Sequence, residues 1–398
     1  MTLTNSPRRY GTIARSLHWI TATGILVMFP LGWAAHLAPW QTEAELALKA
    51  QLFSIHKTLG VALILVALLR VLWALSQPRP APLHPGRRIE TLLAETVHWA
   101  LYAALILVPL SGWIAHAATT GFAPILWPFG QDLPFVPKSD ALAHAAATVH
   151  LLSQWLLAAV LVLHVAGAVK HAVIDRDATL ARMWRGTPAG QPAPHRGLAA
   201  MALALALWGV VLGGGAAAGL YSTDRPDPAP ALAAAPSDWQ VTEGALALRL
   251  RQMGREIEGE FSSWTAAITF EPRDSEGPAG EVTVVIAIPS LTLGSVSQQA
   301  MGADFFAADS FPTATFTATL LRRAEDYLAR GTLSLRGVEQ PLDLPFTLRL
   351  DGDKAVMLGS TVIDRRSFGI GETMSDGDQL GFEVAVDVAL SATRAPRP

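Results

Sequence analysis

The sequence predicts two fold classes in series: an all-α transmembrane bundle of four helices with a fifth anchor helix, then an all-β antiparallel barrel. Three observations carry this reading. Hydrophobic residues make up 51% of the chain and charged residues only 16%, against about 25% charged in ordinary soluble domains. Apolar stretches of helical length follow one another as far as Leu220, each near the ~20 residues that cross hydrocarbon. All 11 histidines lie at or before His195, and beyond Ser237 the pattern changes to short alternating runs.

The basic start, MTLTNSPRRYGTIAR, is shaped like the head of a signal peptide. The apolar stretch behind it is too long and has no small-residue cleavage site, so Leu17–His36 reads as the first span. The second is Ile55–Ser76, the third Thr96–Ala117, and the fourth Ala147–Val173 inside the longer apolar pattern Ala141–Asp175. The fifth, Gly197–Leu220, has neither histidine nor charge and reads as a plain anchor. Arg8, Arg9, Arg15, Arg70, Arg79, Arg87, Arg88, Lys170, Arg176, Arg182, Arg185 and Arg196 fall on one side of these spans. Only Lys49, Lys57 and Lys138 fall on the other. The positive-inside rule then places the N-terminus in the cytoplasm. Five spans put everything after Leu220 outside, in the periplasm if the membrane is a bacterial inner membrane.

Tyr221–Pro236 is a Pro/Ala linker. The runs Val241–Arg251, Glu281–Ile288, Thr313–Leu321, Tyr327–Leu335, Leu342–Leu350, Val356–Ile363 and Gly381–Leu390 alternate with period two and are punctuated by Gly, Asp and Pro. Such runs make an antiparallel sandwich or barrel. The division is a membrane domain at 1–186, the fifth helix and linker at 187–237, and the barrel domain at 238–398. No stretch suggests a nucleic-acid partner.

There is no cysteine, which excludes c-type haem attachment, cysteine-held iron–sulfur clusters, disulfides and thiol catalysis. A metal or haem has to be held by His, Met or carboxylate. Histidine inside a span is expensive and marks a functional site by default. On the fourth span, His150 and His164 are fourteen residues apart, roughly 21 Å along a helix and on nearly the same azimuth. One helix can thus serve two haems at two depths. On the outer side His56 is the partner for His150. On the inner side His164 pairs with His18, or with His98 as the alternative. His98 and His171, a further turn or two along, are left for a haem propionate or a quinone carbonyl, or are interfacial. His36, His84, His116, His144 and His195 read as solvated or interfacial. Zinc needs three or four convergent ligands, and the spans hold no HExxH and no Asp/Glu cluster. Gly60 and Gly167 offer room for a porphyrin face or serve as ordinary helix-packing positions.

The segments ARSLHWITA, FSIHKTLGVALILVALLRVLW, ETVHWALYAALILVPLSGW and LHVAGAVKHAVIDRDATLARMW resemble the bacterial cytochrome b561 family over about Tyr10–Arg185. The resemblance implies a four-helix core with two haem b groups held by His18, His56, His150 and His164, electron exchange with ubiquinone, and His171 near the quinone. One branch resembles superoxide oxidases. ADFFAADSFPTATFTAT, GTLSLRGVEQPLDLPF and DRRSFGIG resemble the YceI-like family over about Asp238–Thr393. That implies a lipocalin-like barrel around an isoprenoid chain, with Phe261, Trp264, Phe305, Phe306, Phe316 and Phe368 as candidate lining or core residues.

The expected protein is a multi-pass dihaem cytochrome that moves electrons to or from ubiquinone, with superoxide as an electron source in the oxidoreductase version. Lys57, beside His56, would attract that anion, or is a snorkelling interface residue. The alternative is a lipid or quinone carrier whose haems are only a wire, or a b-type subunit serving a separate dehydrogenase.

Overall fold

The computed structural model describes residues 2–40, 42–119, 123–190, 197–222, 232, 237–294, 296–324 and 326–395. His195, Arg196 and nearly all of the Pro/Ala linker lie outside these residues. The chain divides into two compact units: Met1–Leu37, Gln51–Thr119 and Pro124–Thr223 form the first, and Ala38–Ala50, Thr120–Ala123 and Asp224–Pro398 the second.

The first unit is built on α1 (Thr12–Leu37), α2 (Glu43–Ser76) from Gln51 onward, α3 (Arg88–Ala118), α4 (Asp140–Val173), the short α5 (Thr179–Trp184) and α6 (Gly197–Ala217). All but α5 are long and apolar enough to cross a membrane. α2 and α4 both run longer than the expected spans, because each span continues into a more polar N-terminal extension. α4 starts where the Ser139 hydroxyl accepts from the Leu142 N–H, with Asp140 in its first turn and Lys170 and His171 in its last. That charge order complements the helix dipole. α3 packs along α4, and α6 packs against both. Ala100 and Ala104 on α3 and Ala204 on α6 are buried, so small side chains let these helices approach. Leu65, Leu68, Leu69 and Leu72 on α2 and Val162, Leu163 and Val165 on α4 stay exposed, as lipid-facing residues do.

One end of this unit gathers the basic segments. Ala81 N–H donates to Pro7 O, Ala189 N–H to Arg8 O, and the Arg15 guanidinium to Trp184 O. The N-terminal arm, the α2–α3 loop and the stretch after α5 therefore share an end.

The second unit is one antiparallel sheet of ten strands, β1 (Trp239–Gln252), β2 (Arg255–Phe261), β3 (Trp264–Phe270), β4 (Gly277–Ala287), β5 (Leu291–Thr292), β6 (Thr313–Arg323), β7 (Asp326–Leu335), β8 (Val338–Asp351), β9 (Lys354–Asp364) and β10 (Leu380–Arg394). A short helix, α7 (Ser297–Met301), follows β5. The strand order is β3-β4-β6-β7-β8-β9-β10-β1-β2-β5. The sheet curls until Asp238 N–H, just before β1, donates to Ile268 O on β3. All seven expected runs are strands; β2, β3 and β5 are additional. Left-handed residues Met253-Gly254 and Arg336-Gly337 turn β1 into β2 and β7 into β8, the conformation two-residue hairpins need. On β6, Ala314, Phe316, Ala318 and Leu320 are buried while the intervening threonines are exposed or half-exposed, so every second side chain faces the core.

A single buried cation ties the end of this core together. Arg365 is 3% exposed. Its guanidinium donates to the carbonyls of Ile370, Gly371, Met374, Leu380 and Gly381 at 2.6–3.1 Å. Replacing Arg365 by Leu orphans five buried acceptors, which costs at least about 3 kcal/mol. Hydrogen exchange on the full chain measures this: the amides of β9 and β10 are expected to exchange roughly a hundredfold faster or more in the variant. Unchanged protection contradicts the bracing role.

Candidate functional site

The first unit brings its span histidines together in two groups. The rings of His56 on α2 and His150 on α4 stand 6.5 Å apart between centroids, with planes at 83°. His18 on α1 and His164 on α4 stand 6.2 Å apart at 60°. His98 on α3 comes closer to His164, at 5.1 Å. Two imidazoles on opposite sides of one metal, each bonded at about 2.0–2.1 Å, hold their centroids roughly 6 Å apart. The first two separations suit that arrangement, whereas 5.1 Å is too short for it.

The surroundings of these rings are specific. His150 Nδ1 lies 2.8 Å from the Val108 carbonyl, an acceptor that makes Nδ1 the protonated nitrogen and leaves Nε2 as the free ligand atom. His56 Nδ1 is buried with no hydrogen-bond partner. A Cβ added at Gly32 would sit 2.8 Å from the His56 ring, and one at Gly112 would sit 3.0 Å from the His150 ring. These two glycines make the room for the imidazoles. Gly60 and Gly167, singled out from sequence, face only Met28 at 3.6 Å and open space respectively. The Arg70 guanidinium donates to His18 Nδ1 at 3.2 Å and lies over the Tyr102 ring at 5.5 Å. Arg70 is thus a cation held among the His18, His98 and His164 rings.

His171 is not part of either group. Its ring stacks on His84, 6.2 Å between centroids and 6° between planes. His171 Nδ1 is 2.7 Å from Asp177 Oδ2, and His84 Nε2 is 2.9 Å from the same oxygen. Burial favours the protonated form of Asp177, but hydrogen bonds from Thr179, His84 and His171 outweigh it and hold the carboxyl well below the usual range. Lys170 pairs with Glu90 and with Asp175, the latter at 2.8 Å. Sequence reasoning left His84 as an interfacial residue. Its role depends on a loop folding back to α4, which no periodicity reveals. Lys57 is also engaged, with Nζ 3.3 Å from His116 Nδ1, and His116 is buried rather than solvated.

The second unit encloses an apolar cavity of about 270 Å³. Phe261, Trp264, Phe305, Phe306 and Phe316 line it; Phe368 is buried in the core and is not part of the lining. Leu46, from the 38–50 segment of the same unit, also faces the cavity. Gln252 and Gln299 were not foreseen: both line the cavity, and Gln252 Oε1 and Gln299 Nε2 are buried without partners. The wall therefore accepts an apolar chain and keeps one amide acceptor and one amide donor for a polar group.

Residues 9–186 match the family model of prokaryotic cytochrome b561, and residues 239–392 match that of the YceI-like domain. An Escherichia coli K12 protein named "Cytochrome b561 homolog 2" is 32% identical over 188 residues, which are 46% of this chain and 95% of that one. A Yersinia pestis protein named "Probable superoxide oxidase CybB" is 25% identical over 177 residues, 44% of this chain and 96% of that one. The crystal structure of Burkholderia cenocepacia BcnA matches with a TM-score of 0.35 and 26% identity, covering 38% of this chain and 96% of that chain.

Filling the cavity tests whether it is the lipid site. Ala314 and Ala329 both line it. In an Ala314→Phe/Ala329→Phe variant, apolar ligand recovered from the purified chain by solvent extraction and mass spectrometry is expected to fall severalfold. Recovery equal to that of the wild type places binding elsewhere.

Proposed function

Since the chain belongs to the prokaryotic cytochrome b561 family and carries a YceI-like isoprenoid-binding domain, we propose that it passes electrons between two membrane-embedded haem b groups and ubiquinone. His56 and His150 hold one haem, and His18 and His164 the other. The observation that carries this is the pair of ring separations, 6.5 and 6.2 Å, repeated at two levels of α4. A haem held by either pair would supply one-electron transfer.

The chain's own residues set the rest. Val108 O fixes the His150 tautomer, and Gly32 and Gly112 keep both rings of that pair free of neighbouring backbone. His18 would hold the haem through Nε2, and Arg70, 3.2 Å from His18 Nδ1, would be placed to pair with a propionate. His98, beside His164, is a neighbour of that haem and not its ligand. His171, with its proton shared toward Asp177, is the group that exchanges a proton with a quinone headgroup. The charge-rich end of the unit lies in the cytoplasm by the positive-inside rule, and five crossings leave the isoprenoid-binding domain in the periplasm of a bacterial inner membrane. Superoxide is the proposed electron source, in line with the name of the Yersinia relative.

A pyridine haemochrome assay is expected to find two haems per chain. Ala at 18, 56, 150 or 164 lowers this by about one, while His98→Ala and His171→Ala keep both. No haem b in the wild type overturns the reading, and loss of haem in His98→Ala with retention in His18→Ala exchanges those two roles.

The electron source is tested separately. In stopped-flow mixing, a superoxide pulse is expected to reduce the haems of the purified protein within the lifetime of the radical. Haems that stay oxidised exclude superoxide as donor and leave a dehydrogenase partner.

A further inference from the structure

Three metal-ligating side chains converge at the charge-rich end of the first unit, outside both haem pairs. His84 comes from the α2–α3 loop, His171 from the last turn of α4, and Asp177 from the turn that follows. Their ligand atoms all lie within 4.8 Å of one another. Asp177 is brought back under His171 by a left-handed Arg176, φ 49°, and by a bond from its own N–H to His171 O at 3.1 Å. The parallel imidazoles then aim His84 Nε2 and His171 Nδ1 at one carboxylate oxygen.

We propose that His84, His171 and Asp177 form a binding site for one divalent transition-metal ion, with Zn²⁺ as the reference ion. Two imidazoles and one carboxylate are a donor set for such ions and leave a coordination position open. A second feature points the same way. His171 Nε2 faces Glu90 Oε1 at 3.4 Å. Ligation through Nδ1 puts the ring proton on Nε2, where Glu90 accepts it, giving the carboxylate–imidazole–metal relay that orients such ligands. With both imidazoles neutral, each ring proton moves to the other nitrogen and none is released.

The neighbouring group of Glu90, His171 and Asp175 is the weaker candidate. Lys170 already pairs with both of its carboxylates, and Arg87 pairs with Asp175 at 3.1 Å. Asp177 Oδ2 faces the two imidazoles, while its Oδ1 accepts from the Thr179 N–H at 2.8 Å. Because His171 is also the proposed quinone contact, a bound ion would compete with quinone. That consequence rests on the quinone reading; binding of the ion does not.

The test uses the full haem-loaded chain in detergent, without a polyhistidine tag and stripped with a chelator, titrated with Zn²⁺ against a fluorescent competitor. One ion per chain is expected. His84→Ala and Asp177→Asn are expected to weaken binding at least tenfold, and Glu90→Gln by about 10–100-fold as second-sphere losses do, with an unchanged haem spectrum as the check on folding. No saturable binding in the wild type overturns the proposal. Equal affinity in His84→Ala and Asp177→Asn overturns it as well.

Discussion

An imidazole inside a membrane helix has no water to satisfy it, and the first unit is arranged around that constraint. Its span histidines cannot stand singly without cost, and the chain places them in facing groups on α1, α2, α3 and α4. The fourteen-residue interval on α4 fixes two levels, and partners on α1 and α2 meet it at each. Small residues answer at the same levels: Gly32 and Gly112 give way to the rings they face. The Val108 carbonyl, just before Pro109 on α3, receives the His150 N–H across the helix pair.

In the second unit the same physics acts with the opposite sign. A sheet that curls on itself hides its inner face completely, so every second residue has to be apolar. Polar atoms that remain inside have to be bonded or reserved. Arg365 is bonded to five carbonyls and spends all its donors on structure. Gln252 and Gln299 leave an amide atom unpaired at the cavity wall, and unpaired buried amides are costly without a ligand. The contrast separates a scaffold residue from ligand-facing ones more sharply than the aromatic lining does, since Phe305 and Phe316 belong equally to core and cavity.

What was legible in the sequence follows from which signals are local. The spans were legible because hydropathy summed over a helix-length window needs no partner, and the seven alternating runs needed only period two. Strand β2, REIEGEF, was missed because its three outward positions are glutamates and its inward face begins with Arg255 and includes Gly259. β5 is two residues long and has no period to read. Within the spans the candidate histidines were readable, but Gly32 and Gly112 were not. A glycine's meaning there lies in the ring on the opposite helix, which only the fold supplies. His84 was hidden for the same reason in a loop.

The choice between His18 and His98 as partner of His164 shows what geometry adds to a list of ligands. Both rings reach His164, so proximity alone favours His98. A bound metal, however, requires the two rings to stand apart with their nitrogens aimed at a common point, and the closer ring fails that condition. Arg70 adds a second constraint: its guanidinium reaches His18 Nδ1 at 3.2 Å and lies over the Tyr102 ring, so the span carries a cation at the level of these rings.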